Sequence, residues 1–269
     1  MQIASRQPMW KGGGRGTVIE VEMTPATGLY IRFVYCPTPG KPLAVKWGDG
    51  EKTELPNAPG DSEVDHLYAA YGKYKIVVDG CCNIVFRVLD GQPAYPYDAA
   101  ITSFVDYSGQ ITGSRSAAYQ NAVNLERFIA PNASWIGQRD FAYCSKLKEA
   151  VLGDVCIHYD GSFQYCTSLE KFTTVNTGCC WSYVWQGCTR LRELRLGNVS
   201  QFATEDFDDC PNLMDIWIAD KTVEQIIGTA PDGNIEHGYG AEFPWCANAS
   251  CRFHGTNGIV LGNGTIIRG

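Results

Sequence analysis

The chain has 269 residues, 45% of them apolar and 19% charged, with a net charge of −7. That composition supports one large or two small globular domains and excludes an extended disordered chain. There is no Lys/Arg block, no apolar run of membrane-spanning length and no apolar segment in the opening MQIASRQPMWKGGGRG, which argues against nucleic acid, membrane insertion and an export signal.

Residues 17–88 are read as a β-sandwich. TVIEVEM, LYIRFVYC, PLAVKWGDG, YKIVVDG and NIVFRVL are short β-rich runs separated by Pro/Gly turns. Asp49-Gly50 signals a tight turn, and His66, Tyr68, Gly72 and Tyr74 lead into a strand. Between Leu43 and Val78 these marks resemble a PKD-type immunoglobulin-like domain, with its Gly-Asp-Gly turn and His-x-Tyr…Gly-x-Tyr strand entry. Asp49 and His66 invite a catalytic reading, but turn chemistry and hydrogen bonding at a strand end explain them better. The unit is assigned to residues 1–92, and the proline-containing DGQPAYPYDAA (Asp90–Ala100) to a linker.

The second unit, residues 93–269, opens with ITSFVDYSGQIT, expected to supply a first, capping strand. A period of 22 residues follows without insertion or deletion. Its aromatic column is Tyr119, Phe141, Phe163, Trp185 and Phe207; Ala122, Cys144, Cys166, Cys188 and Cys210 come three residues later. Leu125, Leu147, Leu169, Leu191 and Leu213 follow, then Phe128, Ala150, Phe172, Leu194 and Ile216. The aromatic-to-Cys spacing predicts a helical or 3₁₀ turn. The last column alternates with Ala130, Leu152, Thr174, Leu196 and Ile218 as a short strand does. One such unit cannot bury its apolar side alone, whereas stacked units share a core, so the period predicts a solenoid. Leu125, beside the cap, is expected to matter less than the central Leu169 if the end of the stack frays.

Charges agree with parallel stacking. Glu126, Lys148, Glu170 and Arg192 alternate in sign from row to row, and so do Arg127, Glu149, Lys171 and Glu193 until Asp215 breaks the pattern. The chain has 12 Cys. Those on the 22-residue period are read as reduced, buried thiols, small hydrophobes filling a repeated slot. Cys246, Cys251 and His254 form an incomplete zinc set, so no metal is expected. Glu205, Asp206, Asp208 and Asp209 lack a calcium-loop spacing and are read as a solvated loop.

Over residues 100–220 the units resemble BspA-like leucine-rich repeats, of the form Ala-Phe-x-x-Cys-x-x-Leu-x-x-Ile; FQYCTSLEKF and FDDCPNLMDI fit closely, while Ala122 and Ala150 depart. The resemblance implies a right-handed solenoid with short parallel strands, and binding or adhesion at a cell surface more often than catalysis. Beyond Ile218 the period decays into a cap from about residue 220. There DKTVEQIIG predicts a short helix capped by Asp220, and CRFHGTNGIVLGNGTIIRG predicts strands joined by Gly-Asn turns. The fold expected is therefore mainly β with short helices: a PKD/Ig-like sandwich followed by a leucine-rich-repeat solenoid with terminal caps.

No phosphate-binding loop, dinucleotide fingerprint, His-Glu-x-x-His or Gly-x-Ser-x-Gly element occurs, and no cofactor is implied. Strand parity turns Arg195 and Trp217 outward in the column of Ile129, Val151 and Thr173, alongside Lys171, Glu193 and Asp215. Tyr159 and Trp181 occupy equivalent places in adjacent rows, with Trp135 and Tyr183 nearby, as binding surface or as cover for the core edge. Aromatic and Arg side chains on a rigid surface are what binding hot spots are made of. These residues point to a non-enzymatic module binding a protein or glycan on a cell surface. A phage- or virion-associated structural protein is the alternative, and a divergent hydrolase the third reading.

Overall fold

Alternating apolar residues give each strand of the first unit one buried face. β1 (Thr17–Met23) buries Thr17, Ile19, Val21 and Met23 and exposes Glu20. β2 (Tyr30–Pro37), β3 (Leu43–Lys46), β4 (Lys52–Leu55), β5 (Ser62–Leu67), β6 (Gly72–Asp79) and β7 (Cys81–Val85) follow. This computed structural model describes residues 16–57, 60–86, 98–114, 117–157, 160–180, 182–199, 204–219, 221–227 and 249–269. Strands β5-β2-β7 form one antiparallel sheet and β1-β6-β3-β4 the end of another. Phe33, Trp47, Tyr68 and Ile76 are buried in the core they share.

The second sheet does not end with the first unit. β8 (Ile101–Asp106) pairs antiparallel with β1, Val18 opposite Val105, and parallel with β9 (Arg127–Ala130), Phe104 beside Phe128. One strand per repeat then continues in parallel. Before the last repeat strand, the elements in chain order are β10 (Glu149–Leu152), β11 (Asp154–Ile157), β12 (Lys171–Thr173), β13 (Asn176–Cys180) and β14 (Glu193–Leu196). β15 (Asp215–Ile218) closes the repeats, and β9, β10, β12, β14 and β15 stand side by side in register. Among the described residues the sheet reaches thirteen strands, and it runs continuously across the boundary expected at residues 92/93. Most of the expected linker, residues 90–97, lies outside the described residues. Strands β11 and β13 add a second, two-stranded parallel ladder that no periodic signal announced.

Each column of the repeat has one packing role. Rings stack along the solenoid: Tyr119 on Phe141 at 5.1 Å, Phe141 on Phe163 at 4.9 Å and Trp185 on Phe207 at 5.8 Å, all within 5° of parallel. The five leucines have no exposed surface. The column thiols are free and buried, and they do more than fill space. Cys144, Cys166, Cys188 and Cys210 donate Sγ–H to the carbonyls of Tyr119, Phe141, Phe163 and Trp185 of the preceding row, at 3.0–3.2 Å. Burial drives the Cys166 thiol well above its ordinary range, which keeps the proton this bond requires.

The aromatic-to-Cys step is the expected 3₁₀-type turn, closed by Cys144 N–H on Phe141 O, and a second such turn with Leu147 N–H on Cys144 O follows it, repeated row by row. The acidic residues before Cys210 are not all solvated. Asp206 is buried and accepts the Val184 N–H at 3.0 Å, as Asp140 accepts that of Ala118 three rows earlier in the same column. Asp140 also accepts from Gly137 N–H and Ser114 Oγ–H. Burial outweighs these donors and pushes its carboxyl up to about 7. Asp208 and Asp209 are exposed.

At the far end, helix α1 (Val223–Ile227) is capped by Thr222; Asp220, the cap expected, lies outside the described residues. Thr222 Oγ1 accepts the Gln225 N–H and Gln225 Oε1 accepts the Thr222 N–H, a reciprocal capping box. β16 (Arg252–Gly255) extends the parallel stack beside β15; β17 (Gly258–Leu261) and β18 (Ile266–Arg268) fold back antiparallel. The first of these turns is Thr256-Asn257, and Asn263 lies in the second.

Leu169→Ala should cost about 2–5 kcal/mol, the usual penalty for emptying a closed core slot. Leu125→Ala should cost a comparable amount, contrary to the fraying expectation, because β8 and β1 close the stack beyond its row. Equilibrium denaturation checks both; a Leu125→Ala loss below about 1 kcal/mol would mean that this end opens independently.

Candidate functional site

Strand pairing carries one outward column across the sheet, through Val105, Ile129, Val151, Thr173, Arg195 and Trp217. Ile129 departs from the expected exposed strip: it is buried, as is Val105 beside it. Val151 and Thr173 are half-buried and Arg195 is exposed, so the accessible part of the column lies toward the C-terminal rows. Beside it run the charges. Arg127 pairs with Glu149 at 2.9 Å, and Lys171 stands in register between Glu149 and Glu193.

Glu193 and Asp215 are then direct neighbours, two carboxylates where alternation calls for opposite signs. Each has acquired its own cation. Arg195 folds back along its strand to pair with Glu193. Asp215 accepts from the Arg252 guanidinium at 2.6 Å, and its other oxygen lies 2.7 Å from His254 Nε2. Partial burial opposes ionisation of Asp215, yet Arg252 and His254 together hold its carboxyl below the ordinary range. The same pair raises Arg252.

The structure thus brings Glu193, Arg195, Asp215 and Trp217 together and adds two residues that sequence reasoning missed. Trp217 is half-buried, with the His254 imidazole parallel to its indole at 3.7 Å and the Arg195 guanidinium 5.3 Å from its centre. These contacts arrive from the strands on either side of β15. Arg252 lies 37 residues from Asp215 rather than 22, so the period could not point to it; the unrelieved Glu193–Asp215 clash was the only signal that a cation was missing. Tyr159 and Trp181 lie outside the described residues, and Trp135 and Tyr183 are half-buried.

In the first unit, Asp49 and His66 serve a turn. Asp49 accepts the Glu51 N–H at 3.0 Å and lies 2.7 Å from His66 Nε2. His66 is buried and stacks on Trp47 at 4.8 Å, and Tyr68 donates to the Trp47 carbonyl. Burial works against the Asp49 carboxylate, but the Glu51 N–H and His66 hold it below its ordinary range. Gly48 is in the left-handed region, and a Cβ there would meet the Lys75 nitrogen at 2.8 Å. Of the candidate zinc residues, Cys251 turns into the core, His254 joins the outward column and Cys246 lies outside the described residues. Among the described residues no group of three or more His, Cys, Asp or Glu is placed to hold a metal ion.

A family model of the BspA type leucine rich repeat region matches residues 110–230 in six copies, one more than the spacing of aromatic and Leu residues had picked out. Comparison with curated proteins and with solved structures gives no match. Residues 110–230 are therefore BspA-type leucine-rich repeats forming a β-solenoid, a fold typically used for binding and typically non-catalytic.

Because the folded state depresses the Asp215 pKa, its contribution is present above the ordinary value of 3.8 and is lost as pH falls through and below it. Asp140 acts in the opposite sense, favouring the folded state as pH falls from about 7. Acidification should therefore loosen the β16–β18 segment while the central rows hold. Limited proteolysis against pH should show cleavage within 249–269 appearing first, and Asp215→Asn should produce that cleavage at neutral pH.

Proposed function

We propose that the protein is a non-enzymatic recognition module whose partner is a protein, docked on the exposed strand face around Arg195 and Trp217. The sandwiching of Trp217 between Arg195 and His254 carries this reading. Both faces of the indole are occupied, which removes the flat apolar surface a sugar ring would stack on. What remains outward is the indole edge, an Arg195 side chain 55% exposed, and the carboxylates of Glu193 and Asp215. Mixed charge around an aromatic anchor suits a protein surface. The strands fix these side chains before any partner arrives, so little ordering entropy is lost on docking.

The rest of the chain fits a cell-surface adhesion setting. Its first unit combines a Gly48-Asp49-Gly50 turn with the His66/Tyr68 and Gly72/Tyr74 strand entry, and on that basis we assign it as a PKD-type domain carrying the solenoid. The Asp215–His254 pair has the look of an acid–base dyad. The cross-strand neighbours of His254 are Trp217 and Ile259, however, and neither offers a nucleophile.

Fluorescently labelled protein should bind intact bacterial or epithelial cells, and protease treatment of the cells should abolish binding while periodate oxidation of their glycans should not. An Arg195→Ala, Trp217→Ala double variant with an unchanged circular dichroism spectrum should lose most of the signal, by roughly tenfold or more in affinity. Undiminished binding by that variant, or binding destroyed by periodate and not by protease, would contradict the proposal.

A further inference from the structure

A second surface lies on the turn side of the solenoid, away from the strand face. Two residues after each ring of the aromatic ladder the chain takes a left-handed conformation: Asn121, Tyr143, Tyr165, Gly187 and Asp209, with φ between 56° and 72°. Four of these five rows carry a side chain in that conformation, so the backbone does not require glycine at Gly187. Space does. A Cβ at Gly187 would lie 2.4 Å from Cδ1 of Tyr165, whose ring leans over the glycine. Tyr143 stacks on Tyr165 at 5.2 Å and 21°. The Tyr165 ring thus has one face backed by a second ring while its edge overhangs a residue without a side chain.

This arrangement opens a shallow hollow of about 430 Å³, within the size range of small-molecule clefts. Tyr165, Gly187, Asp209 and Pro211 line it together with Thr167 and Thr189. Tyr143 and Tyr165 are 43% and 36% exposed, unusually open for stacked aromatic side chains in a solenoid whose other ring ladder is buried. Thr167 and Thr189 donate their hydroxyl protons to carbonyls of the preceding row, which leaves their oxygens to accept from a guest. Asp209 is exposed, and partial burial together with the charges of Glu205 and Asp209 raises the neighbouring Asp208 carboxyl above its ordinary range. Negative potential here repels anionic ligands.

We propose that this hollow is a carbohydrate subsite for a neutral pyranose, its C–H face against Tyr165 and its hydroxyls donating to Asp209 and the threonine oxygens. A flat ring platform, an adjacent carboxylate and a rim of hydroxyl acceptors match the two faces of such a sugar, one apolar and one rich in donors. The single platform and the open rim do not enclose a guest on several sides, as an aromatic cage for a quaternary ammonium group does. The subsite is independent of the strand-face reading, since it shares no residue with it.

Saturation-transfer difference NMR on the full chain tests this, with methyl β-D-galactopyranoside, methyl α-D-mannopyranoside and N-acetyl-D-glucosamine as probes and tetramethylammonium as the cationic comparison. At least one sugar should receive saturation at its ring C–H protons. Tyr165→Ala should weaken binding by roughly tenfold, the worth of one aromatic contact. Should that variant misfold, Asp209→Asn, an exposed change that spares the ring, should weaken the same sugar by itself. No transfer to any of the three sugars, transfer undiminished in both variants, or transfer to tetramethylammonium alone would each overturn the proposal.

Discussion

In a parallel stack held in register, every side chain has its own copy from the next repeat as its nearest neighbour, one strand spacing away. That constraint decides which residues each column can hold. Rings satisfy it by stacking face to face, as Tyr119, Phe141 and Phe163 do. A thiol satisfies it by donating to the carbonyl of the row before, which serves four successive cysteines equally. Charges satisfy it only by alternating, as Glu126 and Lys148 or Arg127 and Glu149 do. Buried carboxylates cannot be neighbours at all, and in their column Asp140 and Asp206 are separated by Ser162 and Val184.

The same constraint makes both ends of the stack expensive to leave open, because a terminal row presents unpaired N–H and C=O groups and half-covered rings. The first unit meets this at one end by continuing the sheet, so that β1 takes the free edge of β8. At the other end β16 re-enters in parallel and β17–β18 turn the edge back antiparallel. The one outward column that breaks self-compatibility, Glu193 beside Asp215, lies next to this closure and recruits Arg252 and His254 from it. Closure of the core and construction of the candidate surface are thus one event. The cation that neutralises Asp215 comes from the strand that caps the stack.

Legibility followed the same physics. The solenoid, its strand positions and the outward aim of Arg195 and Trp217 were readable because an uninterrupted period of 22 residues repeats each packing role five times. Interactions made across a break in that period were not readable, which is why Arg252 and His254 were missed. The left-handed turns left only a broken sequence mark, since Asn121, Gly187 and Asp209 suit that conformation but Tyr143 and Tyr165 interrupt the column. Strands β11 and β13 pair through segments such as NTGCC, which lack apolar alternation. Continuity of the sheet from β1 into β8 depends on antiparallel pairing between Thr17–Val21 and Ile101–Asp106, a contact between distant segments that local pattern does not encode.

Hydrogen exchange resolved by residue tests most directly whether the first unit closes the solenoid as part of one sheet. The row amides of Glu126, Lys148, Glu170, Arg192 and Met214 each donate to the strand or row before them, the first of them to Thr102 at the start of β8. If the sheet is continuous, Glu126 and the β8 amides exchange as slowly as Lys148 and Glu170, and the β17–β18 hairpin exchanges first. Exchange of Glu126 and β8 at the rate of that hairpin, with Lys148 and Glu170 still protected, would show that the first unit sits beside the solenoid without closing it.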